Sequence, residues 1–282
     1  MNRVKDKVVL ITGATNGLGK GTAKRFASMG ATVLLHGRVQ SKLEAVKGEI
    51  IEETVNDQIL TYRADLASLE EVRGLASAIE SRHDKLDVLI NNAGVGFGRP
   101  GASRELSKDG FELRFAVNYL APYALTNLLL KVLLRSAPSR IVNVGSLGQE
   151  PIDFTDLMLE RDYNGKRAYR RSKAALAMFT FDLAERLAAD KVTVNCLHPA
   201  TYMDTNMVRE ANVRPWSRVE EGVESVIYVA ASRDLDGVTG KFFDEKVVGR
   251  AIAQAYDPAA RMRLREVSER MTGIATPQTL VA

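Results

Sequence analysis

The chain has 282 residues, of which 45% are hydrophobic and 26% are charged, so it can bury a sizeable core as an ordinary globular protein. Its net charge of +4 is dispersed without a basic run, which argues against nucleic acid as a partner. The single cysteine, Cys196, excludes an internal disulfide, and three scattered histidines show no metal-ligand spacing, so we expect no bound metal.

The N-terminal sequence and the lack of linkers and repeats predict one cytoplasmic domain over residues 1–282. The N-terminus is charged and lacks the apolar core of a signal peptide. No apolar run approaches the ~18 residues of a membrane span. There is no linker rich in proline, glycine and serine, and there is no internal repeat.

The first predicted strand ends in a glycine-rich turn that opens a helix. Residues 8–12 form a short apolar run typical of a strand buried on both faces, and helical periodicity follows the turn. The turn reads Gly-x-x-x-Gly-x-Gly, in which backbone N–H groups at a helix N-terminus approach a phosphate. A helix entry that is merely rich in glycine is the alternative. The predicted phosphate contacts are Gly13, Thr15, Asn16, Gly17, Leu18 and Gly19.

The second predicted strand, residues 31–36, ends without the acidic residue that binds an adenosine ribose. Gly37 and Arg38 follow instead, and a guanidinium is well suited to a 2′-phosphate. This pattern favours NADP over NAD as the cofactor. In the alternative interpretation, Arg38 is only a surface cation.

Helices and strands continue to alternate through the first half of the chain. A helix over residues 42–55 and a strand over 59–63 are followed by a capping-box pattern of Ser68 and Glu71, which starts the next helix. A further strand covers residues 86–90. This alternation predicts an α/β protein with a Rossmann-type, doubly wound parallel sheet of about seven strands and helices on both faces.

Ligands of such sheets bind beyond the carboxyl ends of the strands. Gly13, Asp65, Asn91 and Gly94 all follow predicted strand ends. We therefore expect these residues to meet at one site.

A predicted helix that begins near Ala168 carries Tyr169 and Lys173, which are four residues apart. Side chains at this spacing share one helix face. A nearby ammonium favours phenolate, so we expect the pKa of Tyr169 to fall from ~10 towards the working pH. Such a phenol exchanges a proton with a carbonyl or alcohol oxygen. Taken alone, the pattern is more often that of an exposed pair on a helix.

The motifs occur in a characteristic order. They are Thr12-Gly13-x-x-x-Gly17-x-Gly19, Asn91-Asn92-Ala93-Gly94, Asn118, Ser146 and Tyr169-x-x-x-Lys173. This set resembles the short-chain dehydrogenase/reductases from about Lys7 to Phe243. The insert over residues 151–166 and the tail from Tyr256 are similar to the retinol dehydrogenase-like branch and its bacterial relatives.

The resemblance implies that Asn118, Ser146, Tyr169 and Lys173 form a catalytic group. Tyr169 would be the general acid in reduction and the general base in oxidation. Lys173 would lower the pKa of Tyr169 and hold the nicotinamide ribose. Ser146 would donate a hydrogen bond to the substrate oxygen, and Asn118 would hold a water that links Lys173 to solvent. Alternatively, a serine or asparagine after a strand is only a turn or cap residue.

The resemblance also implies cofactor contacts beyond the glycine turn. Asp65 resembles the residue that accepts a hydrogen bond from the adenine amino group, whereas Asn91 looks structural and would pin neighbouring backbone. The implied contacts are Arg38, Asp65, Leu66, Asn92, Ala93, Gly94, Tyr169, Lys173, Pro199 and Thr201.

One motif departs from the family pattern. Ala200 replaces the usual glycine after Pro199, and Asp204 stands where the family has a threonine. Either Thr201 or Thr205 would then contact the carboxamide end of the nicotinamide, and the sequence leaves the choice open.

The C-terminal third contains a segment, residues 201–217, that resembles the mobile substrate-covering segment of the family. Its apolar residues favour an apolar or aromatic substrate, with ordinary packing as the alternative. Residues 218–231 predict a helix and 240–243 predict the last strand. The helical tail over 258–272 either closes the site or meets a partner subunit. From the resemblance we expect a homodimer or homotetramer.

These observations predict an NADP-dependent oxidoreductase that interconverts a carbonyl and an alcohol on a small molecule. The cofactor would carry the hydride chemistry, and the protein would orient the reactants and handle the proton. An NAD-linked alcohol dehydrogenase and a dinucleotide-binding regulatory protein without turnover are the alternatives.

Overall fold

Strands and helices alternate along residues 4–99 and 101–275, which a computed structural model describes. The strands are β1 (Val8–Ile11), β2 (Thr32–Gly37), β3 (Ile59–Arg63), β4 (Val88–Asn91), β5 (Ser139–Val144), β6 (Val192–His198), β7 (Phe242–Asp244) and β8 (Val247–Val248). The α-helices are α1 (Gly17–Ser28), α2 (Gln40–Thr54), α3 (Leu69–Glu80), α4 (Leu113–Phe115), α5 (Ala121–Leu128), α6 (Leu130–Arg135), α7 (Gly165–Arg186), α8 (Asn206–Glu210), α9 (Val219–Ala231) and α10 (Pro258–Thr272). A π-helical segment, Ala116–Leu120, joins α4 to α5, and short 3₁₀ helices cover Arg233–Leu235 and Ala253–Tyr256.

The strands form one sheet in the order β3-β2-β1-β4-β5-β6-β7-β8. Neighbours from β3 to β7 pair in parallel, and Ile11 of β1 lies beside both Leu35 and Ile90. The chain first builds outward from β1 to β3 and then continues with β4 on the other side of β1. This reversal leaves a crevice at the carboxyl ends of β1 and β4. The predicted doubly wound α/β fold is confirmed.

The edge of the sheet differs from the prediction of about seven strands, because an eighth strand follows β7. Glu245 adopts a φ of 55° and the chain reverses there. Val247 and Val248 then pair in antiparallel register with Asp244 and Phe243. A two-residue strand is too short to show periodicity in the sequence.

The two faces of the sheet bury separate apolar clusters, because successive residues of a strand point to opposite sides. Val9 and Ile11 pack with α1, α2 and α9, whereas Val8 and Leu10 pack with α3, α5, α7 and α10. In the described part of the chain, no helix is both long and apolar enough to cross a membrane.

The helix starts refine the predicted boundaries. Helix α2 begins at Gln40 rather than at residue 42. At α3, the Ser68 hydroxyl accepts a hydrogen bond from the Glu71 backbone N–H at 3.3 Å, as a capping box requires. However, the Glu71 carboxylate accepts from the Asp65 backbone N–H at 2.8 Å, so only half of the predicted box forms.

The tail helix α10 belongs to the core of one sheet face. Leu264 is buried there, and the hydroxyls of Ser268 and Tyr119 are hydrogen-bonded at 2.6 Å. Arg261 forms an ion pair with Glu185 of α7 at 2.7 Å. The described residues of α10 do not line the cavity at the crevice, so this helix does not close the site. Contact with a partner subunit stays a prediction, and residues 276–282 of the predicted tail lie outside the described residues.

Candidate active site

A cavity of about 1190 Å³ opens at the carboxyl ends of the parallel strands, where the topology leaves the crevice. Nearly all predicted site residues line it. They are Gly13, Thr15, Asn16, Gly17, Leu18, Gly19, Arg38, Asp65, Leu66, Asn92, Ala93, Gly94, Ser146, Tyr169, Lys173, Pro199 and Thr201. Asn118 and Asn91 are the exceptions, because both are buried and do not line the cavity.

The glycine turn fits a phosphate-bearing ligand because side chains would block its backbone. Gly13 has a φ of +67°, and a Cβ atom placed on it would lie 2.9 Å from the Ala93 Cα atom. A Cβ atom on Gly19 would collide with the Gly13 carbonyl oxygen. The turn therefore forms a close-packed cradle in front of the α1 N-terminus, which suits the pyrophosphate of a dinucleotide.

Asn92 holds this turn in place. Its side-chain amide donates to the carbonyl oxygens of Thr12 at 2.8 Å and Gly13 at 3.2 Å. In return, the Thr12 hydroxyl accepts from the backbone N–H groups of Asn92 at 2.9 Å and Ala93 at 3.0 Å. The side chain of Asn92 thus braces β1 against β4 and is directed at protein backbone.

Asn91 has structural contacts, as expected, but they are made to side chains and not to neighbouring backbone. Its amide donates to the Thr126 hydroxyl at 3.0 Å and to the Asn143 side chain at 2.8 Å. It therefore links side chains of β4, α5 and β5, whereas the pinning of neighbouring backbone that was predicted for Asn91 is done by Asn92.

His36 also supports the turn, although it was not among the predicted site residues. Its Nδ1 atom accepts from the Gly13 backbone N–H at 3.2 Å, and its Nε2 atom lies 3.1 Å from the Ala64 carbonyl oxygen. Burial lowers the pKa of His36 to about 4. The neutral ring therefore bridges β1 to the end of β3, and its place directly at the end of β2 was the only sequence signal for it.

Two cations line the cavity where β2 ends. Arg38 and Lys42 are both exposed and contribute to the same wall as Gly37. Neither is ion-paired with a carboxylate among residues 4–99 and 101–275. The wall also includes Asp65, whose carboxylate accepts from the Ala67 backbone N–H at 3.0 Å. This end of the cavity can attract an anionic group through two positive charges.

Ser146, Tyr169 and Lys173 meet on the other side of the crevice. Ser146 follows β5, and Tyr169 and Lys173 lie on α7, which begins at Gly165 because the Asn164 side chain caps its first backbone N–H groups. The Ser146 hydroxyl accepts from the Gly148 backbone N–H at 3.0 Å and lies close enough to the Tyr169 phenol to lower the pKa of that phenol. The Lys173 ammonium lies 5.7 Å from the centre of the Tyr169 ring.

The expected fall in the pKa of Tyr169 is wrong. Burial raises the pKa of this phenol, and the nearby Ser146 hydroxyl offsets only part of that rise. The Lys173 ammonium donates to the Val144 carbonyl oxygen at 2.8 Å instead of to the phenol. Burial lowers the pKa of Lys173 to about 8, because a charged ammonium is disfavoured away from water.

Asn118 lies in the π-helical segment, an irregularity that is frequent at functional sites. Its amide nitrogen donates to the Val95 carbonyl oxygen and to the Ser172 hydroxyl, both at 3.0 Å. Its amide oxygen accepts from the Val95 backbone N–H at 2.7 Å. The side chain thus ties the loop after β4 to α7, and the predicted water-holding role stays a prediction.

The segment over residues 201–217 covers part of the cavity and contains α8. The Thr201 hydroxyl is hydrogen-bonded to the Nε2 atom of His198 at 3.0 Å. The Thr205 side chain instead lies against the glycine turn, where a Cβ atom on Gly17 would be 3.0 Å from its methyl carbon. Thr205 also lines the cavity, so it joins Thr201 as a candidate contact.

Apolar side chains of the same segment form the upper wall of the cavity. Tyr202 and Met207 line it together with Phe97 of the loop after β4. The ring of Trp216 packs edge-on against Tyr202 at 5.1 Å between centroids and is 73% exposed. Met207 packs onto Gly96, where a Cβ atom would lie 2.6 Å from the methionine Cγ atom.

Comparison with known proteins defines the class. A family model described as short chain dehydrogenase matches residues 7–216. The chain belongs to the short-chain dehydrogenase family, and it is an NAD(P)-dependent oxidoreductase that acts on alcohol or carbonyl groups. The predicted family and reaction class are confirmed.

Individual relatives cover nearly the whole chain. Retinol dehydrogenase 14 of Mus musculus is 39% identical over 95% of this chain and 86% of its own length. The crystal structure of an uncharacterized protein from Mycobacterium Paratuberculosis has a TM-score of 0.79 at 32% identity and covers 97% of this chain and 96% of that one. A short chain dehydrogenase from Shigella flexneri complexed with NADP has a TM-score of 0.68 at 27% identity, with coverages of 87% and 99%.

Proposed function

We propose that this protein is an NADP(H)-dependent reductase or dehydrogenase that interconverts a ketone or aldehyde and an alcohol on an apolar or aromatic small molecule. The cations Arg38 and Lys42 carry the cofactor assignment. They line the cavity at the end of β2, without a carboxylate partner in the described chain, where an NAD-specific site has an acidic residue. The Shigella flexneri relative complexed with NADP supports the same preference.

The cavity residues divide between the two ends of the cofactor. The glycine turn would hold the pyrophosphate, Asp65 and Leu66 the adenine, and Arg38 with Lys42 the 2′-phosphate. Lys173 would hold the nicotinamide ribose beside Gly94, because a Cβ atom on Gly94 would lie 3.7 Å from the ammonium.

A bound nicotinamide supplies or accepts the hydride, and the chain's own residues handle the proton. Tyr169 donates its proton to the substrate oxygen during reduction and takes it back during oxidation. Ser146 donates a hydrogen bond to the same oxygen as negative charge develops there. Lys173, whose pKa burial lowers to about 8, lies beside the phenol ring and titrates close to neutral pH.

The walls around Tyr169 support the proposed substrate class. Phe97, Tyr202 and Met207 line the same cavity as Ser146 and Tyr169, and the Phe97 ring packs against the Tyr169 ring. Aromatic and thioether side chains favour an apolar ligand. The relative from Mus musculus is named for retinol, an apolar alcohol. We further propose one domain over residues 1–282 that acts as a homodimer or homotetramer in the cytoplasm.

Thermal unfolding with NADPH, with NADH and with neither tests the cofactor proposal. A ligand at ~100 times its Kd stabilises a protein by about 2.7 kcal/mol, which is visible as a rise in Tm. We expect a larger rise with NADPH than with NADH, and loss of that difference in Arg38→Gln. Arg135→Gln, at an exposed arginine at the end of α6 and outside the cavity, is the control.

Other outcomes would redirect the assignment. A rise with NADH alone would contradict the NADP preference and favour an NAD-linked alcohol dehydrogenase. No rise with either nucleotide would contradict the proposed cofactor site and favour a protein without turnover.

A further inference from the structure

A buried ion pair lies beside the cavity, and the proposed mechanism does not use it. Arg114 of α4 and Glu112 before it have side chains that are 2% and 1% exposed, and their Nη1 and Oε1 atoms are 3.4 Å apart. Burying two charges is unfavourable unless further hydrogen bonds satisfy them. The hydrogen bonds of the remaining polar atoms of Arg114 and Glu112 therefore show which segments the pair connects.

Arg114 joins three separate segments of the chain. Its Nε atom donates to the Gly96 carbonyl oxygen at 3.0 Å, and its Nη1 atom donates to the Tyr163 phenol at 2.8 Å. Tyr163 in turn donates to Glu112 at 3.2 Å, and Glu112 accepts from the Phe115 backbone N–H at 2.8 Å. A planar guanidinium suits this task because its donors are fixed in a fork.

The segment that Arg114 holds carries an aromatic neighbour of the catalytic phenol. Gly96 precedes Phe97, whose ring packs edge-on against the Tyr169 ring with 5.9 Å between centroids and 78° between planes. A Cβ atom on Gly165, at the start of α7, would collide with the Phe97 carbonyl oxygen. Phe97 is therefore fixed on two sides, because its backbone packs against α7 and the residue before it is held by Arg114.

Arg114 and Asn118 act on consecutive residues of the same loop. Asn118 binds the Val95 backbone through both its N–H and its carbonyl oxygen, and Arg114 binds the next carbonyl oxygen, that of Gly96. Arg114 and Asn118 are four positions apart in sequence, and the π-helical segment begins between them at Ala116. The loop after β4 is thus clamped at two consecutive residues directly before Phe97.

We propose that Arg114, with Glu112 and Tyr163, is a positioning residue that sets Phe97 against Tyr169. It thereby fixes the upper wall of the cavity, to which Phe97 belongs. Arg114 and Glu112 do not line the cavity, so they act through the loop, whereas Tyr163 also lines the cavity wall. The inference rests on the proposed function. It also assigns a task to the insert between Ser146 and Tyr169, because Tyr163 is the residue of that insert that reaches Arg114.

Substrate selectivity of variants tests this inference. Tyr163→Phe removes one oxygen atom and keeps the ring. Arg114→Lys keeps the positive charge but loses the planar, forked arrangement of N–H donors. Both are compared with wild type for kcat and KM on a bulky aromatic ketone and a small aliphatic aldehyde, and for the rise in Tm with NADPH. We expect kcat/KM for the bulky ketone to fall about tenfold in Tyr163→Phe and up to about 100-fold in Arg114→Lys. For the small aldehyde, kcat/KM should stay within about twofold of the wild-type value, because we expect the wall to contact only the larger substrate. The rise in Tm with NADPH should likewise stay close to that of wild type.

Two variants elsewhere in the core serve as matched controls. Tyr119→Phe removes a phenol that is hydrogen-bonded to Ser268, and Arg261→Lys alters a buried arginine that is paired with Glu185. Neither residue lines the cavity. These controls should lower Tm without changing the ratio of the two kcat/KM values.

The outcomes separate the inference from the proposed function. If the Tyr163 and Arg114 variants lower Tm as the controls do and keep the wild-type ratio, the network only stabilises the fold and the inference is wrong. Tyr163→Phe alone decides this point if Arg114→Lys does not fold. A folded wild type without turnover of any carbonyl overturns the proposed function, and the inference with it.

Discussion

Tyr169 and Lys173 show how one apolar environment changes two proton affinities in opposite directions. Removal from water disfavours phenolate and ammonium alike, so the pKa of the phenol rises and that of Lys173 falls to about 8. A phenol with a raised pKa keeps its proton at neutral pH. In the proposed reaction, Tyr169 therefore starts as the acid, and the nearby lysine is the group that titrates close to the working pH.

Replacing Tyr169 by phenylalanine tests the proton transfer. We expect Tyr169→Phe to lower kcat by ~10²–10⁴-fold, because a general acid contributes a factor of that size. The rise in Tm with NADPH should remain, since the ring and Lys173 are still present. Tyr228→Phe, on α9 outside the cavity, is the control. Turnover close to wild type in Tyr169→Phe would contradict the assigned role.

His36 makes the stability of the glycine turn depend on pH. Its pKa is lowered by burial from the ordinary 6.5 to about 4 in the folded protein. Between these values the unfolded chain binds a proton that the folded chain does not, so the free energy of unfolding falls as the pH falls. The contribution of His36 is complete above pH 6.5 and is lost as the pH falls towards 4.

Urea unfolding across pH measures this contribution. In His36→Asn the amide oxygen replaces Nδ1 as an acceptor for the Gly13 N–H, but nothing titrates. We expect the stability advantage of wild type over His36→Asn to shrink by about 2 kcal/mol between pH 6.5 and pH 4.5. Parallel stability curves for the two proteins would show that His36 titrates normally in the fold.

At the scale of elements, the segment over residues 201–217 is docked by small residues of its neighbours. Thr205 lies against Gly17, Met207 against Gly96, and Met203 against Gly222 of α9. Larger side chains at these glycines would push the segment away. The segment therefore packs onto glycines of three separate elements, because a glycine leaves room for the side chain that contacts it.

The two threonines of this segment differ in what their hydroxyls contact. Thr201 is already hydrogen-bonded to His198, whereas Thr205 lies at the glycine turn. We expect Thr205→Val to raise KM for NADPH about tenfold, because a hydrogen bond to a charged ligand is worth that much. Thr201→Val should change KM less than about twofold. Steady-state kinetics with varied NADPH decides the question, and the opposite order would assign the contact to Thr201.

At the scale of the whole molecule, α10 completes the apolar cluster on one face of the sheet but takes no part in the cavity. Its residues Leu264 and Ser268 pack with α7 and the π-helical segment, on the side that Tyr119 occupies. We therefore expect α10 to contribute to stability and not to cofactor binding.

Substitutions on α10 should separate these two properties. Leu264 is 1% exposed, so Leu264→Ala is expected to cost about 2–5 kcal/mol in the free energy of unfolding. The Kd for NADPH should not change, because α10 is absent from the described cavity wall. Met262→Ala, at a residue 49% exposed on the same helix, should change stability by less than about 0.5 kcal/mol. Weaker NADPH binding by folded Leu264→Ala would show that the helix and the site are coupled.

The sequence by itself determined the features that depend on local order. Apolar runs and helical periodicity gave the strands and helices of the sheet, because burial on a strand or helix face repeats at a fixed spacing. The turn from Gly13 to Gly19 and the pair Tyr169 and Lys173 were readable because their geometry depends on neighbours within one turn. Strand ends then located the cavity, since parallel strands bring their carboxyl ends together.

Only the tertiary structure decided what depends on distant contacts and on burial. The pKa of Tyr169 rises instead of falling because the chain removes the phenol from water and directs Lys173 to Val144. The bracing of the glycine turn by His36 and Asn92 joins residues from three strand ends that are far apart in sequence. The link from Arg114 to Tyr163 spans 49 positions. No local pattern encodes such pairs, because their contact arises only when the sheet and its helices have packed.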